Sequence, residues 1–312
     1  MWSSLGFIIG TTLMYSTPLI YTALGGVISE NSGVVNIGLE GMMTIGAFVG
    51  AAVGFYTGNP WIAFLAAGLA SGFLALFHAI AAVSFGADQV VSGIAINFLG
   101  PGIALFVSRL FFEGATNTKP IPLENKMPRP LNGLFPQNSF FDMILNQYAT
   151  VFMAFALVAI VWYLLYKTKL GLRIRAVGEH PRAADTLGVS VYKIRYLCVV
   201  LSGVFAGFGG ASLSLAVVSN FRPTLISGHG FIALAAMIFG KWKPQGAMWA
   251  CLLFGVSNGL VVYLGRPGAP FQISQQLLSM IPYVLTLIIL TGFVGRASAP
   301  AASGTPYEKD ER

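Results

Sequence analysis

The stretch that decides the fold, Ser32 to Met43, reads SGVVNIGLEGMM. It lies in a long apolar region, yet it carries Asn36 and Glu40 among its glycines. An ionisable group inside a membrane segment is costly unless it is paired or hydrated, so such a group points to a function. If the stretch is helical, Asn36 and Glu40 share one face at i and i+4 and can face one cavity. A structural hydrogen bond from Glu40 to a neighbouring helix is the alternative reading.

Composition indicates the class of protein. Of the 312 residues, 55% are hydrophobic and only 9% are charged, whereas soluble domains have about 25% charged residues. The net charge of +7 is concentrated between apolar segments, which argues for membrane topology and against nucleic-acid binding. We therefore predict an all-α, polytopic transmembrane bundle in contact with lipid, with about 8–9 spans, some of them broken.

The apolar runs give the candidate spans. Runs near the roughly 20 residues that a spanning helix needs occur at 7–27, 34–55, 61–83, 90–112, 148–166, 194–217, 246–264 and 274–294. A shorter run, Gly230 to Gly240, is about half a span and indicates a broken or re-entrant helix. The first run lacks the preceding positive charge of a signal peptide and is interpreted as a retained span.

The loops predict the orientation. The loop 167–195 is strongly basic, and the positive-inside rule places it in the cytoplasm. The proline-rich loop 113–147 balances its charges and is predicted to lie outside. The N-terminus then lies outside and the C-terminus inside. Residues 1–295 form the membrane domain, and the small, polar and charged tail 296–312 is predicted to be disordered.

Two glycine patterns bear on the architecture. In each half of the chain the second apolar segment is interrupted by glycines, beginning at Ser32 and at Ser227. This hints at an inverted repeat, in which such breaks mark the substrate site. Within the second span, Gly46, Gly50 and Gly54 recur at every fourth residue, which is typical of close helix packing in lipid.

The basic loop contains a short helical signal in AVGEHPRAADTLGVSVYKIR. Pro181 suits the first turn of a helix, and Ala183, Ala184 and Leu187 are predicted to share one face. Such a helix either sits in a groove on a soluble partner or lies at the lipid interface. The residues alone leave both readings open.

Catalytic chemistry has no candidate residues. Neither a hydrolytic nor a nucleotide-binding motif occurs, and Cys198 and Cys251 stand alone within apolar segments. No catalytic residue, metal or cofactor is therefore expected. If ATP powers transport, the ATPase must be another chain.

Four segments carry a family resemblance: GVVNIGLEGMM, DQVVSGIAINFLG, GEHPRAADTLGVSV and LSGVFAGFGGA. They resemble the integral membrane permeases of bacterial ABC importers, in the group for branched-chain amino acids and simple sugars. The resemblance extends over residues 16–295. Within that group the chain looks like the shorter permease subunit of nucleoside-type importers, which work with basic-membrane-protein lipoprotein receptors.

The resemblance implies an inner-membrane importer subunit. Its partners would be a second and different permease chain, a cytoplasmic ATP-binding subunit and an extracytoplasmic substrate-binding lipoprotein. The segment that contacts the ATPase would comprise Gly178, Glu179, His180, Pro181, Ala183, Ala184 and Gly188.

The resemblance also bears on the cargo. The Glu in NIGLEG favours nucleosides over sugars or leucine, and Asn36, Glu40 and Asn97 would line the substrate pathway. Sugar or branched-chain amino acid cargo are the alternatives. Other classes are an ion-coupled secondary transporter with Glu40 as its proton site and, last, a membrane enzyme.

Overall fold

The computed structural model describes residues 2–137, 139–266 and 298–309, together with 274, 277, 278, 280, 281 and 284. Within these residues every regular element is helical, which confirms the all-α prediction. The helices are α1 (Trp2–Glu30), α2 (Leu39–Thr57), α3 (Pro60–Ala79), α4 (Gln89–Phe111), α5 (Phe140–Leu145), α6 (Ala149–Lys167), α7 (Lys169–Glu179), α8 (Pro181–Thr186), α9 (Val191–Ser212), α10 (His229–Phe239) and α11 (Pro244–Leu264).

Seven of the described helices are long and apolar enough to cross a membrane. They coincide with the first seven predicted spans, α3 and α9 each being extended by a π-helical turn to Ser84 and Val217. The eighth predicted span, 274–294, falls almost wholly outside the described residues. The predicted half-span is α10, a helix of 11 residues, which spans only about 16 Å.

Local capping explains where several helices begin. The Asn59 side chain accepts hydrogen bonds from the first amides of α3, and Pro60 occupies the first helical position. Asp88 caps α4 through the amides of Val90 and Val91. The basic segment after α6 turns at Thr168, whose hydroxyl caps α7.

Helix α9 packs against α1, α2 and α3 in the centre of the bundle, and small residues permit the close approach. A Cβ at Gly46 would lie 2.4 Å from the Gly207 Cα, so these two backbones touch. One turn further on, Gly50 lies against Ala211, and Gly54 then meets Leu215. Because apolar area alone does not drive association in lipid, such close backbone contact contributes van der Waals packing energy here.

The bundle has two distinct ends. One end carries the basic loop 167–195, and we call it the basic end. There Asn31 donates from Nδ2 to the Trp242 carbonyl at 3.1 Å, and Gly178 packs against the Asn31 backbone. At the opposite end, Gly10 of α1 abuts α5 within the loop 113–147. The start of α1 therefore lies at the same end as that loop, as predicted, while the orientation in the membrane stays a prediction.

Part of the C-terminal segment lies at the basic end. Disorder is predicted for 296–312, and the structure describes residues 298–309 of it, which run across the basic end. There the Ala302 amide donates to the Gly178 carbonyl at 2.9 Å, and Tyr307 packs edge-on against Tyr192 with ring centroids 5.7 Å apart. This described part is held by backbone hydrogen bonds and one aromatic ring, and disorder of the tail stays a prediction. We call residues 298–309 the strap.

Candidate substrate pathway and coupling surface

Two helices begin inside the bundle and meet there. Residues 31–38, which we call the α1–α2 loop, are non-helical and precede α2. Gly228, at φ 93°, precedes α10. A Cβ at Gly230 would lie 2.6 Å from the Glu40 Cα, so only glycine permits this approach. The inverted repeat predicted from these two breaks stays a prediction.

The α1–α2 loop reaches well along α9, inside the bundle. Asn36 donates from Nδ2 to the Ser202 hydroxyl at 3.0 Å. Ser202 is 11 residues beyond Val191, the first residue of α9, or about 16 Å along the helix. The hydrocarbon core of a bilayer is about 30 Å thick. Non-helical backbone at this depth is tolerated only where protein buries it or where it lines a wet cavity.

Glu40 joins the two breaks. One carboxylate oxygen accepts from the Gly228 amide at 2.5 Å and the other accepts from the Gly230 amide at 2.7 Å. Amides at the start of a helix have no acceptor within the helix itself. The helix dipole at the start of α10 also favours a negative charge. Glu40, in the first turn of α2 and partly exposed, therefore caps a helix that lies 188 residues away along the chain.

Asn97 caps α2 from the neighbouring helix α4. Its Oδ1 accepts from the Gly41 amide at 2.8 Å, and its Nδ2 donates to the Ile37 carbonyl at 2.9 Å. The Asn97 side chain is partly buried. The structure thus brings Glu40 and Asn97 to the same helix start, where both hold backbone groups.

Asn36 is placed differently from the expectation. It is 0% exposed, and besides its bond to Ser202 it accepts from the Gly38 amide at 3.1 Å. Because α2 begins only at Leu39, Asn36 and Glu40 do not share a helix face, and the i, i+4 argument was wrong. Glycine-rich sequence ahead of a helix favours a turn, and here the Asn36 side chain closes that turn.

Two further polar residues brace the α1–α2 loop. His78 of α3 contacts the Val35 carbonyl through Nε2 at 3.0 Å, and its Nδ1 lies 2.9 Å from the Ser92 hydroxyl. Gln89 accepts from the Val35 amide at 2.7 Å. Both side chains are buried. Sequence reasoning assigned neither residue to this loop, although polar groups within apolar helices were the available signal.

The predicted coupling segment divides into an exposed part and a buried part. Glu179, His180, Ala183 and Gly188 are exposed and Pro181 is partly exposed, whereas Gly178 and Ala184 are buried. Ala184 is 3% exposed and belongs to the same apolar cluster as Val177 and Ile194. Within the segment 178–188, the large apolar side chain that is exposed is that of Leu187, at 84%.

This division corrects the predicted common face of Ala183, Ala184 and Leu187. Consecutive residues on a helix are about 100° apart, so Ala183 and Leu187, at i and i+4, can point outward while Ala184 points inward. Ala183 of α8 and Leu187, which directly follows α8, therefore present a narrow apolar edge at the basic end.

Comparison with known proteins gives one family match and three similar relatives. The family described as "Branched-chain amino acid transport system / permease component" matches residues 8–290. The guanosine ABC transporter permease protein NupQ of Bacillus subtilis (strain 168) is 47% identical over 99% of this chain and 98% of that protein. The nucleoside ABC transporter permease protein NupC of Lactococcus lactis subsp. cremoris (strain MG1363) is 41% identical over 99% of each. The putative glucose ABC transporter permease protein TsgC13 of Haloferax volcanii is 36% identical, covering 94% of this chain and 93% of that protein.

Proposed function

Because the chain belongs to the family of branched-chain amino acid transport system permease components, we propose that it forms the channel of an ATP-driven nucleoside importer. The chain is a multi-pass membrane transport component. As an ABC permease subunit it works with an ATPase and with partner subunits.

The cargo assignment rests on one observation. The relatives whose names specify guanosine and nucleosides match this chain end to end, at 47% and 41% identity. The relative named for glucose is less similar, at 36%, and makes a monosaccharide the second candidate. Both cargoes are polar and uncharged, so both suit a path lined by hydrogen-bonding groups.

The cargo path is proposed to pass the meeting point of α2 and α10. Glu40 and Asn97 are partly exposed there, and each retains oxygen lone pairs that can accept hydrogen bonds from hydroxyl or amino groups. Asn36 serves as a brace and not as a contact, because its amide is buried and already engaged. Several weak contacts of this kind let a cargo enter and leave.

The basic end is proposed to be cytoplasmic and to receive the ATP-binding subunit. Leu187 and Ala183 give α8 an exposed apolar edge of the kind that inserts into a groove on a partner. The N-terminus and the loop 113–147 then face outward, where a substrate-binding lipoprotein delivers cargo. A second and different permease chain would complete the channel.

Uptake by the complete importer tests the function. Proteoliposomes holding both permeases and the ATPase, with ATP inside and the receptor outside, should accumulate labelled guanosine. Excess unlabelled adenosine should compete, whereas glucose and leucine should not. Uptake of glucose or leucine in place of guanosine would overturn the nucleoside assignment. Uptake that persists without the ATPase and follows an ion gradient would overturn the ATP-driven mechanism.

A further inference from the structure

The strap is tied to the coupling region. Besides the bond from Ala302 to Gly178, the Ala301 amide donates to the Glu179 carboxylate at 3.3 Å. The Lys309 ammonium lies 4.0 Å from the Asp185 carboxylate. A groove of about 530 Å³ runs between the strap and α8, so the strap lies beside α8 without covering its exposed edge.

The strap is also tied to α9 through a buried cation. Arg195 is 1% exposed and donates from Nη1 to the Thr305 carbonyl at 3.1 Å, with the Tyr307 ring centroid 6.0 Å from its guanidinium carbon. Its Nε and Nη2 make no hydrogen bond to any residue that the structure describes. A buried guanidinium is costly without partners, so the Thr305 carbonyl and the Tyr307 ring compensate part of that cost.

On its other side the strap touches the α1–α2 loop. A Cβ at Gly33 would lie 2.9 Å from the Arg195 Nη2 and 3.2 Å from the Ala302 carbonyl oxygen. A Cβ at Gly304 would lie 3.8 Å from a methyl carbon of Val35. The strap and Arg195 together therefore connect α8 with the loop that leads to Asn36 and Glu40.

We propose that the strap is a positioning segment that transmits movement of α8 to the α1–α2 loop. This inference rests on the proposed docking of the ATPase at α8. Movement of α8 and the end of α7 without the strap would break the backbone hydrogen bond at Gly178, the contact at Glu179 and the ion pair at Asp185. Movement of this helix pair together with the strap keeps those bonds and displaces the carbonyl of Ala302 and the residue Gly304, which lie beside the loop.

Removing the strap should leave the membrane bundle folded. Most of its side chains are exposed, and Pro300 and Ala302 are the buried ones among 298–309. Burial of two small side chains contributes little to the apolar core. The strap is thus held by few contacts, and its loss can be separated from unfolding.

The test uses the complete importer and two truncations. One ends at Ala297 and removes the strap; the matched control ends at Lys309 and removes only the last three residues. Each carries Ile37→Cys, at a partly exposed position on the α1–α2 loop that lies outside the strap contacts. Cys198 and Cys251 are buried and give a low labelling background. Maleimide labelling is measured with and without ATP and vanadate, and co-purification of the ATPase is measured in parallel.

The expected result is specific. ATP and vanadate should change the labelling rate of the introduced thiol several-fold in the control, and this change should vanish in the Ala297 truncation while the ATPase still co-purifies. Tyr307→Ala in the full chain should also make this ATP- and vanadate-dependent change in labelling rate smaller. An unaltered labelling response after truncation overturns the proposal, as does loss of ATPase binding, which would make the strap a docking element. The readout needs no cargo, so failure of nucleoside uptake is a separate result.

Discussion

Glu40→Gln tests whether this residue holds α10 or touches cargo. The carboxylate accepts two backbone hydrogen bonds, from Gly228 and from Gly230. Two bonds to a charged group contribute about 4 kcal/mol together, and a glutamine keeps one neutral bond of about 1 kcal/mol. The start of α10 should therefore lose about 3 kcal/mol of local stability, or roughly 100-fold in its opening equilibrium.

Hydrogen exchange measures this opening directly. We expect the amides at the start of α10, from Gly228 to Ala233, to exchange roughly 100-fold faster in Glu40→Gln. Amides in the middle of α9 should be unchanged, because that helix is held by its own packing. Glu124→Gln is the matched control, since Glu124 is exposed in the loop at the opposite end. Guanosine uptake is measured on the same preparations and should fall at least tenfold.

The two measurements can contradict the reasoning in different ways. Unchanged exchange at α10 would show that the carboxylate is dispensable as a cap, whatever happens to uptake. Unchanged exchange with altered cargo selectivity would assign Glu40 to cargo contact instead. Faster exchange with full uptake would mean that a well-ordered α10 is not required for transport.

The remaining predictions concern docking and packing. Leu187→Asp should weaken binding of the ATPase ten- to hundredfold by removing about 1.5–3 kcal/mol of apolar burial, seen as loss of co-purification; Leu123→Asp, equally exposed at the opposite end, should retain it. Gly46→Leu should abolish the folded yield in detergent, judged by size-exclusion chromatography, because a Cβ there meets the Gly207 backbone at 2.4 Å. Gly102→Leu, on α4 with nothing within 4 Å, should leave that yield unchanged.

The spans could be predicted from the sequence because each depends on a local property. A run of about 20 apolar residues satisfies its own backbone hydrogen bonds only as a helix in lipid. The half-length of α10 and the breaks beside Gly228 and Gly38 could also be predicted from a local property. Glycines inside apolar segments mark them.

The partners of the polar groups could not be predicted, because they come from distant parts of the chain. Asn36 meets Ser202 across 166 residues, and Glu40 meets Gly228 across 188. Local periodicity instead grouped Asn36 with Glu40 on a helix that begins only at Leu39. The contacts of the strap could not be predicted for a related reason. Its hydrogen bonds and ring contact involve residues far away in the sequence, which composition does not reveal.

The polar residues around the α1–α2 loop also limit how the channel can open. Side chains from three other helices hold this loop: Asn97 and Gln89 of α4, His78 of α3 and Ser202 of α9. Leaving such a group buried without a partner costs about 1–3 kcal/mol, so several cannot be released at once into a dry interior. Opening must therefore admit water or cargo hydroxyl groups as replacement partners, or move the loop together with its braces. The second route needs a push from outside the braced cluster, and among the described residues both the strap and Gly178 of α7 reach the loop from the basic end.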